Sequence, residues 1–208
     1  WVDKKRFIDA AHDPVFIEEL GIKDVESLEG YLFPDTYRLM KPAKSERELI
    51  TMLVIQALSV WQELSGDNNS GLNRHQVFTL ASIIEKESGV GEERPVIASV
   101  FLNRLERKMK LQSDPTVIFG LSNFNGTLTR SDLKTATPYN TYTIKALPPG
   151  PICSPGAQAL SAVLFPSQTD YLYFVSKNDG THYFSESLSE HNRAVRKYQR
   201  SGKSKSAQ

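Results

Sequence analysis

The alternation of apolar and polar residues predicts a helix-rich chain that turns to strands near its end. Over residues 76–88 (QVFTLASIIEKES), Val77, Leu80, Ala81 and Ile84 recur at the spacing of one buried helix face. The polar residues through Gln76 lead into this helix, and Gly89 is placed to end it in a left-handed cap. Residues 45–65 form a second amphipathic helix, with Ser45 as its cap, Glu48 at the capping-box position and a stripe of Leu49, Met52, Leu53, Gln56, Ala57, Val60, Trp61 and Leu64. A third runs from about Glu92 to Lys108 on Val96, Ile97, Val100, Phe101 and Leu105. It carries Pro95 in its first turn, and Arg104, Arg107 and Lys108 near the end where the helix dipole favours cations. Residues 3–20 read as two short helices broken at Pro14, residues 24–28 as a further helical turn, and 116–121 and 156–164 as short helices. The aromatic run 29–37 lacks helical spacing and reads as a packed extended loop. Tyr171–Ser176 and Thr181–Phe184 read as strands joined by an Asn178-Asp-Gly180 turn, followed by a helix capped by Ser187 or Ser189. The fold class is therefore α+β: a helix-rich single domain with a small antiparallel sheet.

Composition narrows the function classes. The chain has 208 residues, 25 basic against 24 acidic, and a net charge of +1. That balance supplies no counterion-release drive for nucleic acid. Cys153 is the single cysteine, so no internal disulfide and no cysteine-based metal site can form. The four histidines are scattered without ligand spacing, and no Gly-rich phosphate loop, dinucleotide fingerprint or G-x-S-x-G elbow is present. No metal and no cofactor are expected. No apolar run reaches the length of a membrane span. The chain opens mid-pattern on Trp-Val-Asp-Lys-Lys-Arg-Phe, as a fragment of something longer would, and residues 201–208 read as a disordered tail.

What remains is carboxylate chemistry. On a helical wheel Glu85 and Glu87 each lie about 80° from the centre of the apolar face of 76–88, one on either side. A carboxyl on that border can be partly desolvated, which raises its pKa and lets it give up a proton near neutral pH. The wheel does not separate the two. Tyr- and Asn-rich loops with stiff prolines surround them in sequence, notably Leu147-Pro-Pro-Gly150, and offer flat apolar faces and amides of the kind that bind sugars.

Several long blocks resemble the MltG (YceG-like) endolytic murein transglycosylases: 29–37 (EGYLFPDTY), 81–87 (ASIIEKE), 100–105 (VFLNRL), 111–116 (LQSDPT), 139–143 (YNTYT), 147–150 (LPPG), and the ending YLYFV over 171–175 with His191-Asn192. The resemblance implies residues 29–200 as the catalytic domain with a lysozyme-like catalytic helix, and residues 1–28 as a helical lead-in, the end of a truncated LysM-like region. It matches Glu85 to the catalytic acid and Glu87 to a second acidic position. Substrate-binding roles would fall to Glu29, Glu87, Gln112, Ser113, Asp114, Thr116, Tyr139, Asn140, Thr141 and Tyr142. The implied reaction cuts the β-1,4 bond between N-acetylmuramic acid and N-acetylglucosamine within nascent glycan strands, leaves 1,6-anhydro ends, and so terminates strand elongation. The implied partners are peptidoglycan strands and cell-wall synthesis proteins. The parent protein would be anchored in the cytoplasmic membrane with this region on its outer side. The alternative is a non-catalytic peptidoglycan-binding scaffold module, which would keep the cleft without needing a raised carboxyl pKa.

Overall fold

The computed structural model describes residues 2–38, 45–68 and 70–200; the tail expected over 201–208 lies outside them. Among the described residues there are eight α-helices: α1 (Lys4–Ala11), α2 (Pro14–Glu19), α3 (Glu46–Leu64), α4 (Arg74–Glu87), α5 (Arg94–Glu106), α6 (Asp114–Gly120), α7 (Ala157–Leu164) and α8 (Leu188–Val195), the last continued by a π-helical turn, Arg196–Arg200. Strands β1 (Tyr173–Ser176) and β2 (His182–Ser185) form one antiparallel hairpin with Phe174 opposite Phe184. The fold is helix-rich α+β. Asn178 (φ 63°) and Gly180 (φ 90°) turn the hairpin in the left-handed region, where Asn and Gly are tolerated.

Helix α4 is the axis of the molecule. It packs against α5, α6 and α7, while α3 packs against α1 and α7. Every residue from Val77 to Ile84 is buried, so the helix is enclosed all round and not on one face as its periodicity predicts. Two polar residues inside this rod have their groups paired. Thr79 donates its hydroxyl to the His75 carbonyl. Ser82 donates to the Thr79 carbonyl and accepts from the Ile152 amide at 2.9 Å, which pins the 147–153 segment to α4. The first 28 residues add Ala11, Phe16, Ile17, Ile22 and Leu28 to the same core.

Several expected boundaries move. Helix α4 starts at Arg74, because Asn73 caps it and Gln76 closes a reciprocal capping box. It ends at Ser88, whose amide bonds the Ile84 carbonyl; Gly89 is not among the residues with positive φ and is no left-handed cap. Residues 24–28 form bends and not a helical turn, with Asp24 at φ 59°. The buried line of α3 is Ile50, Val54 and Ala57; of the predicted stripe only Ala57 is on it, and the rest flanks it half-buried. Helix α6 begins at Asp114, two residues before the expected start, since Pro115 fits a first helical turn. Ser187, not Ser189, caps α8.

Candidate active site

The last turn of α4 presents two carboxylates in different directions. Residues two apart on a helix point about 200° apart, so Glu85 and Glu87 meet different neighbours. Glu85 faces the start of α7. Its Oε1 accepts from Arg94 Nη2 at 2.9 Å and its Oε2 from the Gly156 amide at 3.1 Å. Arg94 also donates to the Ser88 hydroxyl and to Gln158, so this ion pair clasps α4, α5 and α7 together. With side-chain exposures of 15% for Arg94 and 28% for Glu85, the pair is partly shielded from water.

Glu87 faces the other way, into a cavity of about 320 Å³ lined with Arg104, Leu111, Gln112, Asp114, Tyr142 and His191. Its one hydrogen bond among the described residues is from the Ser113 hydroxyl, at 2.6 Å. Burial pushes the Glu87 carboxyl up from its ordinary value. The Ser113 hydroxyl, His182 and Arg104 pull it back down, and Asp114 adds to the rise. Across the cavity Tyr142 donates its hydroxyl to Asp114 at 2.6 Å. Burial and this bond to Asp114 hold the phenol far above its usual range.

The polar loop residues divide by depth. Ser113, Thr116, Asn140 and Thr141 are buried. The Ser113 amide donates to Thr141 Oγ1 (2.9 Å), Thr116 Oγ1 lies 2.8 Å from Thr141 Oγ1, and the Asn140 amide group bonds the carbonyls of Asp132, Leu133 and Thr135. These side chains brace the loop from inside, satisfying backbone that burial would otherwise leave unpaired. Gln112 and Asp114 are exposed on its rim. Gln112 sits at φ 54°, a conformation unfavourable for a residue with a Cβ. Its amide bonds the Thr141 carbonyl at 3.2 Å and holds that geometry.

Glu29 and Tyr139 do not reach the Glu87 cavity. They line a second cavity of about 340 Å³ with His75, Phe119 and Gly150.

Two groups in the Glu87 cavity escape a reading by periodicity. Arg104, expected near the end of its helix where the dipole favours cations, is only 7% exposed. Its guanidinium donates to the carbonyls of Leu172 (2.6 Å), Leu111 (2.7 Å) and Lys110 (3.3 Å), tying α5 to β1 and to the loop before α6. His191 on α8 stacks on Tyr173, with centroids 5.3 Å apart, and its buried Nδ1 has no hydrogen-bond partner among the described residues. Burial, with Arg104 nearby, lowers its pKa. The signal for both lay in the motif blocks 100–105 and 191–192, which carried no role. His182 does not line this cavity; its Nδ1 lies 2.6 Å from Glu93 and its ring packs against Phe174, which does.

The profile of the YceG-like family matches residues 3–197. The chain belongs to the YceG-like family. A Bacillus subtilis (strain 168) protein named endolytic murein transglycosylase is 39% identical over 196 residues, 94% of this chain and 53% of that protein. A protein of the same name from Streptococcus pneumoniae (serotype 2, strain D39) is 32% identical over 191 residues, 88% of this chain and 35% of that one. This YceG-like chain thus spans about half of the first relative and about a third of the second. The crystal structure of a YceG-like protein from Listeria monocytogenes matches its fold with a TM-score of 0.82 at 35% identity, over 92% of this chain and 67% of that chain.

Proposed function

We propose that this YceG-like region is the catalytic part of an endolytic peptidoglycan lytic transglycosylase, and that Glu87 is its acid. The observation that carries the reading is the Glu87 carboxyl: it opens on a groove, is raised by burial, and holds one hydrogen bond. Glu85, the position that the family resemblance matches to the acid, is engaged by Arg94 and the Gly156 amide and acts here as a positioning residue at the end of α4.

The chemistry needs one carboxyl. Protonated Glu87 donates to the glycosidic oxygen between N-acetylmuramic acid and N-acetylglucosamine as the C1–O bond breaks. The acetamido oxygen of the muramic sugar bonds to the electron-poor C1, the substrate-assisted variant of glycoside cleavage. Ionised Glu87 then takes the proton from the C6 hydroxyl, whose oxygen attacks C1 and displaces the acetamido oxygen. One glycosidic bond is exchanged for an intramolecular 1,6-anhydro bond, Glu87 regains its proton, and no water is consumed. Acting within nascent strands, the enzyme would end their elongation beside the cell-wall synthesis proteins. Residues 1–28 would be the end of a LysM-like region, and a membrane anchor elsewhere in the parent protein would hold this region on the outer side of the cytoplasmic membrane.

Mass spectrometry of purified glycan strands after incubation tests the reading. Anhydro-ended fragments from wild type, and almost none from Glu87→Gln, are the expected result. Fragments heavier by one water would mean a hydrolase, and intact strands with retained binding would mean a scaffold module.

A further inference from the structure

The second cavity lies at the opposite end of α4 from the acid. His75 stands in the first turn of this 14-residue helix and Glu87 at its last residue, about 18 Å apart along the axis. The walls are held in place. The His75 ring is fixed on both sides: Nε2 donates to the Pro149 carbonyl at 2.8 Å, which leaves Nδ1 to accept from the Tyr31 hydroxyl at 3.0 Å. Gly30, at φ 86°, lets the 29–31 turn press on Pro151; a Cβ there would stand 2.3 Å from the Pro151 side chain. Gly150 leaves room beside the Tyr139 hydroxyl and the His75 ring.

Phe119 is the anomaly in this cavity. The residue is 41% exposed, and Ile118 beside it 36%, while Thr116 and Val117 of the same helix are buried. It pairs with Tyr139, with centroids 4.8 Å apart and planes tilted by 55°, so the two rings form an angled aromatic corner over the cavity. Glu29 is half-buried on the same wall. An aromatic corner with a carboxylate acceptor alongside fits the apolar face of a pyranose and its hydroxyls. Helix α6 and the 139–142 loop each run between the two cavities: Asp114 and Tyr142 line the first, Phe119 and Tyr139 the second.

We infer that the Phe119–Tyr139 cavity is a remote carbohydrate subsite, which takes a sugar of the same strand several units away from the bond cleaved at Glu87. This rests on the proposed glycan substrate. It assigns the enzyme tighter binding of strands long enough to fill both cavities.

The test measures binding of peptide-free glycan strands, fractionated by length, to the full chain carrying Glu87→Gln, so that no cleavage intervenes. Long strands should bind more tightly than a tetrasaccharide. Adding Phe119→Ala or Glu29→Gln should weaken long-strand binding roughly 3–10-fold more than tetrasaccharide binding, the scale of one aromatic or polar contact. Phe119 is exposed, and melting curves confirm that the variants are folded. An unchanged ratio in both variants, or long strands that bind no better than the tetrasaccharide, overturns the subsite. Wild-type cleavage is scored separately. A length preference that depends on Phe119, without anhydro products, would sink the transglycosylase reading and leave the subsite standing.

Discussion

Replacing Glu87 by Gln separates its two roles, as proton carrier and as buried group. The side chains have the same shape, and the Gln Oε1 can still accept from the Ser113 hydroxyl that now bonds Glu87 at 2.6 Å. What disappears is the proton. General acid–base help is worth about 10²–10⁴-fold, or roughly 3–5 kcal/mol of barrier, so anhydro-product formation should fall by that factor. Stability should move in the opposite direction. Because burial raises the carboxyl of folded Glu87, the folded state holds that proton more tightly than the unfolded chain. The resulting stabilisation is full below the unfolded value of about 4.3 and is lost as pH rises through the folded one. Above that range the wild type carries a buried charge that Gln lacks. Glu87→Gln should therefore melt at or above wild type at pH 7–8, and its advantage should shrink as the pH approaches 4. Thermal melts across this range, with product analysis by mass spectrometry, read both effects. A variant that cleaves at close to the wild-type rate refutes the assignment. One that melts well below wild type at pH 8 refutes the burial argument.

The remaining predictions concern the residues around the two cavities. Glu85→Gln leaves Arg94 without its carboxylate and should cost about 1–2 kcal/mol by urea denaturation, allowing for the partial exposure of the pair. Its activity should fall less than that of Glu87→Gln, and the opposite ranking would return the acid to Glu85. Ser113→Ala removes the hydroxyl that favours ionised Glu87. The carboxyl should then keep its proton to higher pH, and the alkaline limb of kcat/KM should move upward; a limb moved downward contradicts this. Gly30→Ala puts a Cβ at φ 86° and 2.3 Å from Pro151, and should destabilise by about 1–2 kcal/mol from backbone strain alone, with any forced shift of Pro151 adding to it. An unchanged melting temperature would show that this turn is not locked.

Periodicity and capping chemistry account for much of the fold. The Ser45 cap, the Pro14 break, Pro95 in a first turn and the Asn178-Asp-Gly180 turn all act locally, and each is realised in the structure. The errors arise where neighbours decide. Helix α4 looks amphipathic because Thr79 and Ser82 are polar, yet both are buried with their hydroxyls bonded to backbone. The sequence reads Arg104 only as a cation near a helix end, because its bonding partners, Leu172 and Leu111, lie outside that helix. Ser113, Thr116, Asn140 and Thr141, to which the resemblance gives substrate-binding roles, are buried, and a polar loop's sequence gives no sign of which side chains turn inward.

The sequence by itself determined that α4 ends in two carboxylates pointing to different sides, since that follows from a fixed rotation per residue. It also determined the helix-rich α+β class and carried the blocks that mark the family. Only the tertiary structure decided which carboxylate loses its water and which gains a cation. Desolvation and ion pairing depend on what packs across from a side chain, here the Ser113 loop for Glu87 and Arg94 for Glu85, and those groups are brought there by the fold.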